Sequence, residues 1–173
     1  MRTPATRAAR IRLLVLDVDG VLTDGGLLYG VGGEEIKRFD VHDGWALAAA
    51  GRAGLEVAVI SGRASGAVTR RMAELGIREV HQGVGDKPER LAQLMARLAV
   101  KPAEVAMMGD DLPDLPVMKT VGLALAPANA VPEVRRAAHW VSRRRGGEGC
   151  VREAIEMILR ARRAWPPPDP GSR

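Results

Sequence analysis

Two aspartates stand one residue apart at the end of an apolar run, in the stretch LLVLDVDGVLTD. Asp17 and Asp19 follow the run at 13–16, and Gly20 follows them. A single aspartate in this place commonly closes a strand as a turn residue. Two of them with one residue between also suit a charged site, in which one carboxylate attacks or binds metal and the other moves protons. The other chemically active residues of the chain decide between these interpretations.

A serine, a lysine and a second acidic cluster are placed in the same way along the chain. Ser61 follows the run LEVAVI, Lys87 opens a helix-like stretch, and GDDLPD at 109–114 follows VAMM. Ligands of parallel α/β sheets bind at the carboxyl ends of the strands, so we expect these groups to meet at one sheet edge. Together they supply three or more carboxylates, a hydroxyl and an ammonium group.

This set of groups indicates a particular chemistry. Carboxylates held together repel one another unless a cation offsets their charge. Oxygen ligands favour Mg²⁺, which commonly takes one or two carboxylates together with phosphate oxygens. Lys87, Ser61 and backbone N–H groups can hold a phosphoryl group, while one aspartate attacks phosphorus and a neighbour protonates the leaving oxygen. The residues therefore indicate Mg²⁺-dependent phosphoryl transfer through an aspartyl-phosphate.

Strands and helices alternate along the chain in the pattern that positions such a site. The apolar runs are continuous rather than alternating, as in strands buried on both faces, and helix-like stretches separate most of them. This pattern favours an α/β fold with a doubly wound, mostly parallel, Rossmann-like sheet. The predicted strands are 13–16, 55–60, 79–82, 105–108, 122–126 and 139–141, and the predicted helices are 43–54, 66–76, 88–100, 112–121 and about 149–163.

The stretch GGLLYGVGGEEIKRFDV at 25–41 interrupts this alternation. Two extended segments flank a glycine-rich turn, which predicts a small β-hairpin insertion. We expect residues 1–10 to be a basic N-terminal extension and residues 11–163 to form a single domain that contains the hairpin. The proline-rich residues 164–173 are expected to be an extended or disordered tail.

Composition and charge narrow the functional class. The chain has 173 residues, of which 46% are hydrophobic and 27% charged, which suits one soluble domain. No apolar run reaches the roughly 20 residues that cross a bilayer, and the single cysteine, Cys150, suits the cytoplasm. The formal net charge of +5 comes from the chain ends, since residues 13–134 carry 12 basic and 17 acidic residues. With one Phe and one Tyr, base stacking is limited and nucleic-acid binding is not expected.

The order of these stretches resembles that of a known superfamily. DVDGVLTD, ISGR, Lys87 and GDDLPD look like the four motifs of the haloacid-dehalogenase (HAD) phosphatases. Over about 11–160 the chain resembles the 3-deoxy-D-manno-octulosonate 8-phosphate (KDO 8-P) phosphatase subgroup, through the hairpin, FDVHDGW and GGEGCVRE. The resemblance implies a HAD fold without a separate cap domain, a Mg²⁺ cofactor, and a homotetramer that the hairpin builds. It also implies a cytoplasmic enzyme of lipopolysaccharide sugar biosynthesis.

The resemblance also implies a role for each motif residue, and three positions depart from the family pattern. Those positions are His42, Glu148 and Cys150, and a reversed charge at 148 bears on which sugar acid is bound. By resemblance, Asp17 would be the nucleophile and Asp19 the general acid/base, and Ser61, Gly62 and Lys87 would bind the phosphoryl group. Asp110 would complete the Mg²⁺ site with Asp17 and the Asp19 backbone carbonyl, while Asp111 and Asp114 would orient metal-bound water. Arg63 and Arg71 would bind the sugar-acid carboxylate.

The predicted activity is hydrolysis of the terminal phosphate of KDO 8-P, a phosphoric monoester. A related nonulosonate 9-phosphate is an alternative substrate. A phospho-receiver-like switch or a non-catalytic assembly subunit is an alternative of another class. In a receiver the accepting aspartate follows a central strand, apart from an acidic pair at the first, whereas here the Asp-x-Asp pair follows the first predicted strand. An intact set of motif residues disfavours a subunit without activity.

Overall fold

The computed structural model describes residues 3–167, which form a parallel β-sheet with helices on both faces and a separate hairpin. The strands are β1 (Leu13–Leu16), β2 (Leu28–Tyr29), β3 (Glu35–Ile36), β4 (Glu56–Ile60), β5 (Glu79–His81), β6 (Val105–Met108), β7 (Leu123–Ala126) and β8 (Trp140–Val141). The helices are α1 (Pro4–Ala8), α2 (Val41–Arg52), α3 (Gly66–Glu74), α4 (Lys87–Leu98), α5 (Leu115–Met118), α6 (Pro132–Ala137) and α7 (Cys150–Ala161). The predicted doubly wound α/β fold is confirmed.

The order of the strands in the sheet decides where a ligand can bind. Six strands lie in the order β5-β4-β1-β6-β7-β8, and every neighbouring pair is parallel. The chain builds outward from β1 through β4 to β5, and then crosses to β6 on the other side of β1. In sheets of this order, ligands bind outside the carboxyl ends of the strands at this reversal. The register places Leu16 beside Met108, so the residues that follow β1 and β6 emerge together.

The core lies on both faces of the sheet, which is why the strands are apolar throughout. All four residues of β1 are fully buried. Leu14 and Leu16 pack with side chains of α2 and α7, while Leu13 and Val15 pack with side chains of α4, α5 and α6. Burial on both faces holds β1 rigidly, so the loop that follows it starts from a fixed point.

The hairpin forms where it was predicted, but its strands are short. β2 and β3 pair antiparallel over two residues each, with Leu28 opposite Ile36 and Tyr29 opposite Glu35. The Gly30 N–H donates to the Glu34 carbonyl at 2.8 Å and closes the turn. The apolar side chains of the hairpin are largely exposed; they are Leu27, Leu28, Tyr29, Val31 and Ile36.

Several helices differ from the prediction in extent. α2 begins at residue 41 rather than 43, because the Asp40 carboxylate accepts the N–H groups of His42 and Asp43 as an N-cap. The stretch 112–121 is divided into a 3₁₀ turn at Leu112–Asp114 and the short α5. α1 and α6 were not predicted, since helices of five or six residues are too short to show a periodic apolar face.

The chain ends pack on the domain as far as the structure describes them. α1 lies within the predicted N-terminal extension, and its Ala8 is fully buried in the core. At the other end, Trp165 packs edge-on against Trp45 of α2, with ring centroids 6.0 Å apart. The guanidinium of Arg152 lies 4.5 Å from the Trp45 centroid and 4.8 Å from that of Trp165. The remainder of the predicted tail, 168–173, lies outside the described residues.

Candidate functional site

An open cavity lies where β1, β4 and β6 end, at the reversal of strand order. Its volume is about 310 Å³. The sheet topology therefore brings together the groups that the sequence placed after separate strands. The cavity is lined by Asp17, Asp19, Gly25, Ser61, Gly62, Arg63, Lys87, Asp110, Asp111, Pro113 and Asp114.

Asp17 lines this cavity directly after the end of β1. Its backbone N–H donates to the Met108 carbonyl at 3.1 Å, which continues the ladder between β1 and β6. Its carboxylate accepts a hydrogen bond from Lys87 Nζ at 2.8 Å. Burial and the nearby charge of Asp114 raise the pKa of Asp17 to about 6, although Lys87 opposes this shift. Asp17 is thus a carboxylate whose negative charge is only partly compensated by the protein.

Lys87 is held by two carboxylates at the start of α4. Asp86 caps this helix by accepting the Glu89 N–H at 2.8 Å, which fixes Lys87 as the first helical residue. The Lys87 ammonium is buried and donates to Asp17 at 2.8 Å and to Asp114 at 2.7 Å. Burial lowers the pKa of Lys87, but the two carboxylates more than offset this effect and its pKa is raised. A permanent positive charge therefore faces the cavity.

Asp114 connects the lysine to the second acidic cluster. One of its carboxylate oxygens accepts from Lys87, and the other accepts the Asp110 N–H at 3.0 Å. Asp114 is almost completely buried, which it tolerates because both oxygens have donors. Asp114, which the resemblance implies is a group that orients metal-bound water, lines the cavity.

A cation would fit among the carboxylates. Oxygens of Asp17, Asp110 and Asp114 all lie within 4.8 Å of one another. Burial, and then the charges of Asp17, Asp114 and Asp111, raise the pKa of Asp110 to about 7. Gly20, with φ +84°, leaves room for this arrangement, because a Cβ at this position would lie within 3.0 Å of the Asp110 carboxylate. Hard oxygen donors with uncompensated charge are the ligands that Mg²⁺ takes.

Asp19 has cationic partners that the sequence did not indicate. Its Oδ1 accepts a hydrogen bond from Lys37, in the segment that follows β3, and Lys37 also lies 3.2 Å from Glu35. Arg63 lies 3.6 Å from Asp19 Oδ2 and donates to Glu35 at 2.8 Å. Glu35 and Lys37 were seen only as hairpin residues, and no local pattern marks them as neighbours of Asp19. The contact between them arises from the way the hairpin folds over the loop after β1.

Ser61 and Gly62, which follow β4, also line the cavity. Ser61 is buried, its backbone N–H donates to the His81 carbonyl at 2.9 Å, and its hydroxyl accepts the Arg63 N–H at 3.3 Å. Gly62 is exposed at the start of the loop to α3. The hydroxyl and this loop are placed at the cavity edge, where an anionic ligand can be bound.

Arg71 is not brought into the cavity. It belongs to the C-terminal half of α3, which runs away from the carboxyl edge of the sheet, and it pairs with Glu74 at 3.3 Å. Its guanidinium packs against Gly44 of α2, where no Cβ would fit without displacing it. Of the two arginines predicted to bind substrate, Arg63 lines the cavity of its own chain and Arg71 does not.

The glycine-rich loop at 146–149, together with Cys150 at the start of α7, braces the loop after β1. The Gly147 N–H donates to the Val21 carbonyl at 3.0 Å, and the Cys150 thiol donates to the same oxygen at 3.3 Å. The buried Asp43 accepts the N–H groups of Gly149 at 3.3 Å and Arg152 at 2.6 Å, and so ties this loop to α2. Sequence reasoning missed Asp43 because its partners lie more than 100 residues away.

The three departures from the family pattern lie outside the aspartate cavity. Cys150 is fully buried, and burial raises the pKa of its thiol, which makes it a packing residue rather than a nucleophile. His42 and Glu148 line a different cavity, of about 410 Å³, beside the first turn of α7. This second cavity is larger, but it is lined by three arginines and three glutamates, and the close carboxylates found among the described residues lie at the strand ends instead.

Comparisons with known proteins agree with this geometry. Residues 74–153 match the haloacid dehalogenase-like hydrolase family. The 3-deoxy-D-manno-octulosonate 8-phosphate phosphatase KdsC of Escherichia coli is 46% identical over 155 residues, which cover 90% of this chain and 82% of the relative. This chain belongs to the haloacid dehalogenase-like phosphatases. The predicted superfamily and subgroup are confirmed.

Solved structures of haloacid dehalogenase-like phosphatases superpose closely on the chain. The KDO 8-P phosphatase of Yersinia pestis aligns with a TM-score of 0.90 at 44% identity, over 92% of this chain and 86% of that one. The enzyme of Moraxella catarrhalis, crystallised with magnesium, phosphate and KDO, aligns with a TM-score of 0.91 at 38% identity, over 94% and 93% of the two chains. The likeness therefore covers the sheet, its helices and the cavity at the strand ends.

Proposed function

We propose that the chain hydrolyses KDO 8-P to KDO and inorganic phosphate, in the synthesis of lipopolysaccharide sugar. The observation that carries the proposal is the buried Lys87, which donates to both Asp17 and Asp114. These groups line an open cavity at the carboxyl ends of the strands, where the strand order reverses. The named activity of relatives such as KdsC of Escherichia coli gives the substrate. The reaction class is hydrolysis of a phosphoric monoester.

The proposed reaction runs through an aspartyl-phosphate on Asp17. An Asp17 oxygen forms a bond to phosphorus, the bond from phosphorus to the sugar oxygen breaks, and Asp19 gives its proton to that oxygen. Water then attacks the phosphorus of the aspartyl-phosphate, Asp19 takes the proton from the water, and the bond to Asp17 breaks to release phosphate. Lys87 and Ser61 bind the phosphoryl oxygens, with backbone groups beside Gly62 as further donors.

Mg²⁺ is the proposed cofactor, held by Asp17, Asp110 and the backbone carbonyl of Asp19. When bound, the ion would offset the charges of the carboxylates and of the phosphoryl group. Asp114 and Asp111 orient the groups around it, since Asp114 already accepts two hydrogen bonds from the protein. The Moraxella catarrhalis relative, crystallised with magnesium and phosphate, supports this choice of ion.

The Mg²⁺ concentration needed for half-maximal activity is expected to rise as the pH falls from 7.5 to 5.5. Protons and Mg²⁺ compete for Asp110, whose pKa is about 7, and for Asp17, whose pKa is about 6. Each ligand that must lose a proton weakens apparent binding by up to about tenfold per pH unit below its pKa. The measurement is phosphate release against Mg²⁺ concentration at constant ionic strength. The same half-saturating concentration at every pH would contradict the proposed ligands, and Asp110→Asn should show a weaker pH dependence than the wild type.

We also propose a homotetramer assembled through the hairpin. Leu28, Tyr29 and Val31 are more than half exposed, and several large apolar side chains exposed in one short segment favour an interface there. Val31→Lys is expected to shift the sedimentation equilibrium to smaller species. Val41→Lys, at an exposed valine in α2 outside the hairpin, is the matched control and should not. Tetramers that resist Val31→Lys as well as Val41→Lys would contradict this interface.

The remaining assignments rest on the same reasoning. Every helix in the described part of the chain is too short or too polar to cross a membrane. We propose a cytoplasmic enzyme from the single cysteine, and a catalytic unit spanning about 11–163 with α1 packed against it.

Arg63 is proposed to bind the sugar-acid carboxylate, since it lines the cavity. Arg71 would need to act from another subunit or after a rearrangement.

Phosphate release from KDO 8-P, compared with nonulosonate 9-phosphates, tests the proposal. We expect the octulosonate ester to give the highest kcat/KM in the presence of Mg²⁺. Preference for a nonulosonate ester would overturn the substrate while keeping the chemistry. A stable phosphoprotein that forms without phosphate release would indicate the receiver-like alternative instead.

A further inference from the structure

The environment of Asp19 contains a charged network built by the hairpin. Lys37 donates to Asp19 Oδ1 and lies 3.2 Å from Glu35. Arg63 donates to Glu35 at 2.8 Å and lies 3.6 Å from Asp19 Oδ2. Two carboxyl groups and two cations thus form a closed network at the cavity wall. The hairpin therefore supplies charge to the reaction site in addition to its exposed apolar side.

The burial of Lys37 distinguishes it from an ordinary surface ion pair. Its side chain is 1% exposed, whereas that of Arg63 is 48% exposed. Lysine is rarely buried unless its ammonium is paired, and here it has two carboxylate partners. Lys37 is also absent from the residues that line the cavity, whereas Asp19 and Arg63 line it. Lys37 therefore contacts Asp19 from behind, on the side away from the ligand.

The two carboxyl oxygens of Asp19 consequently have different neighbours. Oδ1 is bound by the buried Lys37, and Oδ2 lies nearest to Arg63 at the open cavity. A general acid must present one oxygen to the leaving group in a fixed direction. Because the buried Lys37 anchors Oδ1, Oδ2 is the oxygen of Asp19 that is left for the leaving oxygen of a bound ester.

We propose that Lys37 is a positioning residue that orients Asp19 for proton transfer. The inference rests on the proposed phosphatase function and adds a residue outside the four sequence motifs. Lys37 acts through Asp19 and does not touch substrate. Its loss should therefore matter in proportion to how much a substrate needs its leaving oxygen protonated.

Three phosphate esters separate this role from the alternatives. KDO 8-P has a poor leaving group and a carboxylate, glycerol 3-phosphate has a poor leaving group without a carboxylate, and p-nitrophenyl phosphate releases a stable phenolate that needs no proton. Lys37→Met is compared with Arg38→Met, its matched control, which removes the adjacent exposed cation. Lys37→Arg keeps the charge and the donor, and serves as the second variant if the methionine form folds poorly.

We expect Lys37→Met to lower kcat on the order of 100-fold for KDO 8-P and for glycerol 3-phosphate, with KM nearly unchanged. The first-turnover release of p-nitrophenol, which needs no proton from Asp19, should slow less than about threefold. Lys37→Arg should recover much of the loss in kcat, and Arg38→Met should resemble the wild type. In an Asp19→Asn background, Lys37→Met should have no additional effect.

Other outcomes overturn the inference. If Lys37→Met raised the KM for KDO 8-P and left the other two esters unaffected, Lys37 would be a substrate ligand. An equal loss in the first-turnover rate of all three esters would make it a purely structural residue. Failure of the wild type on KDO 8-P with turnover of the other two esters would reject the proposed substrate instead, and the comparison of those two esters would still test Lys37.

Discussion

Asp17→Asn is expected to lower kcat at least about a thousandfold and to leave the fold intact. An amide nitrogen or oxygen does not form the acyl-phosphate on which the proposed reaction depends. The substitution keeps the size of the side chain and leaves an oxygen that can accept from Lys87, whose Nζ lies 2.8 Å from the Asp17 carboxylate. Since burial already disfavours the charged form of Asp17, the neutral side chain should cost little stability.

Phosphate release from KDO 8-P and the thermal unfolding midpoint, measured on the same preparation, test this expectation. Asp24→Asn is the matched control, because Asp24 belongs to the same loop but is half-exposed. Its carboxylate accepts hydrogen bonds from the Gly26 N–H and from the Arg38 guanidinium. The control should retain nearly full activity. More than a tenth of wild-type activity in Asp17→Asn would reject Asp17 as the nucleophile.

Gly146→Ala is expected to damage both stability and activity, although residue 146 lies far along the chain from the aspartates. A Cβ at this position would come within 3.0 Å of the backbone oxygens of Gly20 and Thr23. Backbone atoms cannot rotate aside as a side chain can, so the loop after β1 must shift. Overpacking of this kind costs about 1–3 kcal/mol of the free energy of unfolding. A displacement of about 1 Å in the loop that carries Asp19 should reduce kcat on the order of 100-fold.

Denaturant unfolding and steady-state kinetics on the same samples test this prediction. Gly51→Ala is the control, since Gly51 lies near the end of α2 and a Cβ there would have open space for 4 Å around it. That substitution should leave kcat unchanged and raise helix stability by roughly 0.5–1 kcal/mol at most. Wild-type kcat in Gly146→Ala would show that the glycine-rich loop does not brace the site.

The fold and the acidic half of the site could be predicted because their signals are local. The continuous apolar run at 13–16 predicts a strand buried on both faces, and its order relative to the other runs predicts that Asp17 and Asp110 meet. The start of α2 depended on Asp40 acting as an N-cap, which the sequence pattern did not decide. Local patterns also could not show α1 and α6, which are too short to be periodic.

The cationic half of the site could not be predicted in the same way. Lys37 reaches Asp19 only because a hairpin of two-residue strands folds back over the loop after β1. Arg71 and Arg63 looked equivalent in the sequence, yet the direction of α3 separates them, and Glu74 holds Arg71 away from the cavity. Asp43 is likewise defined by partners beyond residue 145, and only tertiary structure connects them.

The carboxylate cluster has a consequence for the stability of the whole molecule. Asp17 and Asp110 have raised pKa values in the folded chain, so the folded state holds their protons more tightly than the unfolded state does. Their contribution to stability is therefore largest below about pH 4 and declines as the pH rises through 6 and 7. At neutral pH the chain gives up part of its stability to keep negative charges close together. This is a trade of stability for function, which binding of a cation would reverse.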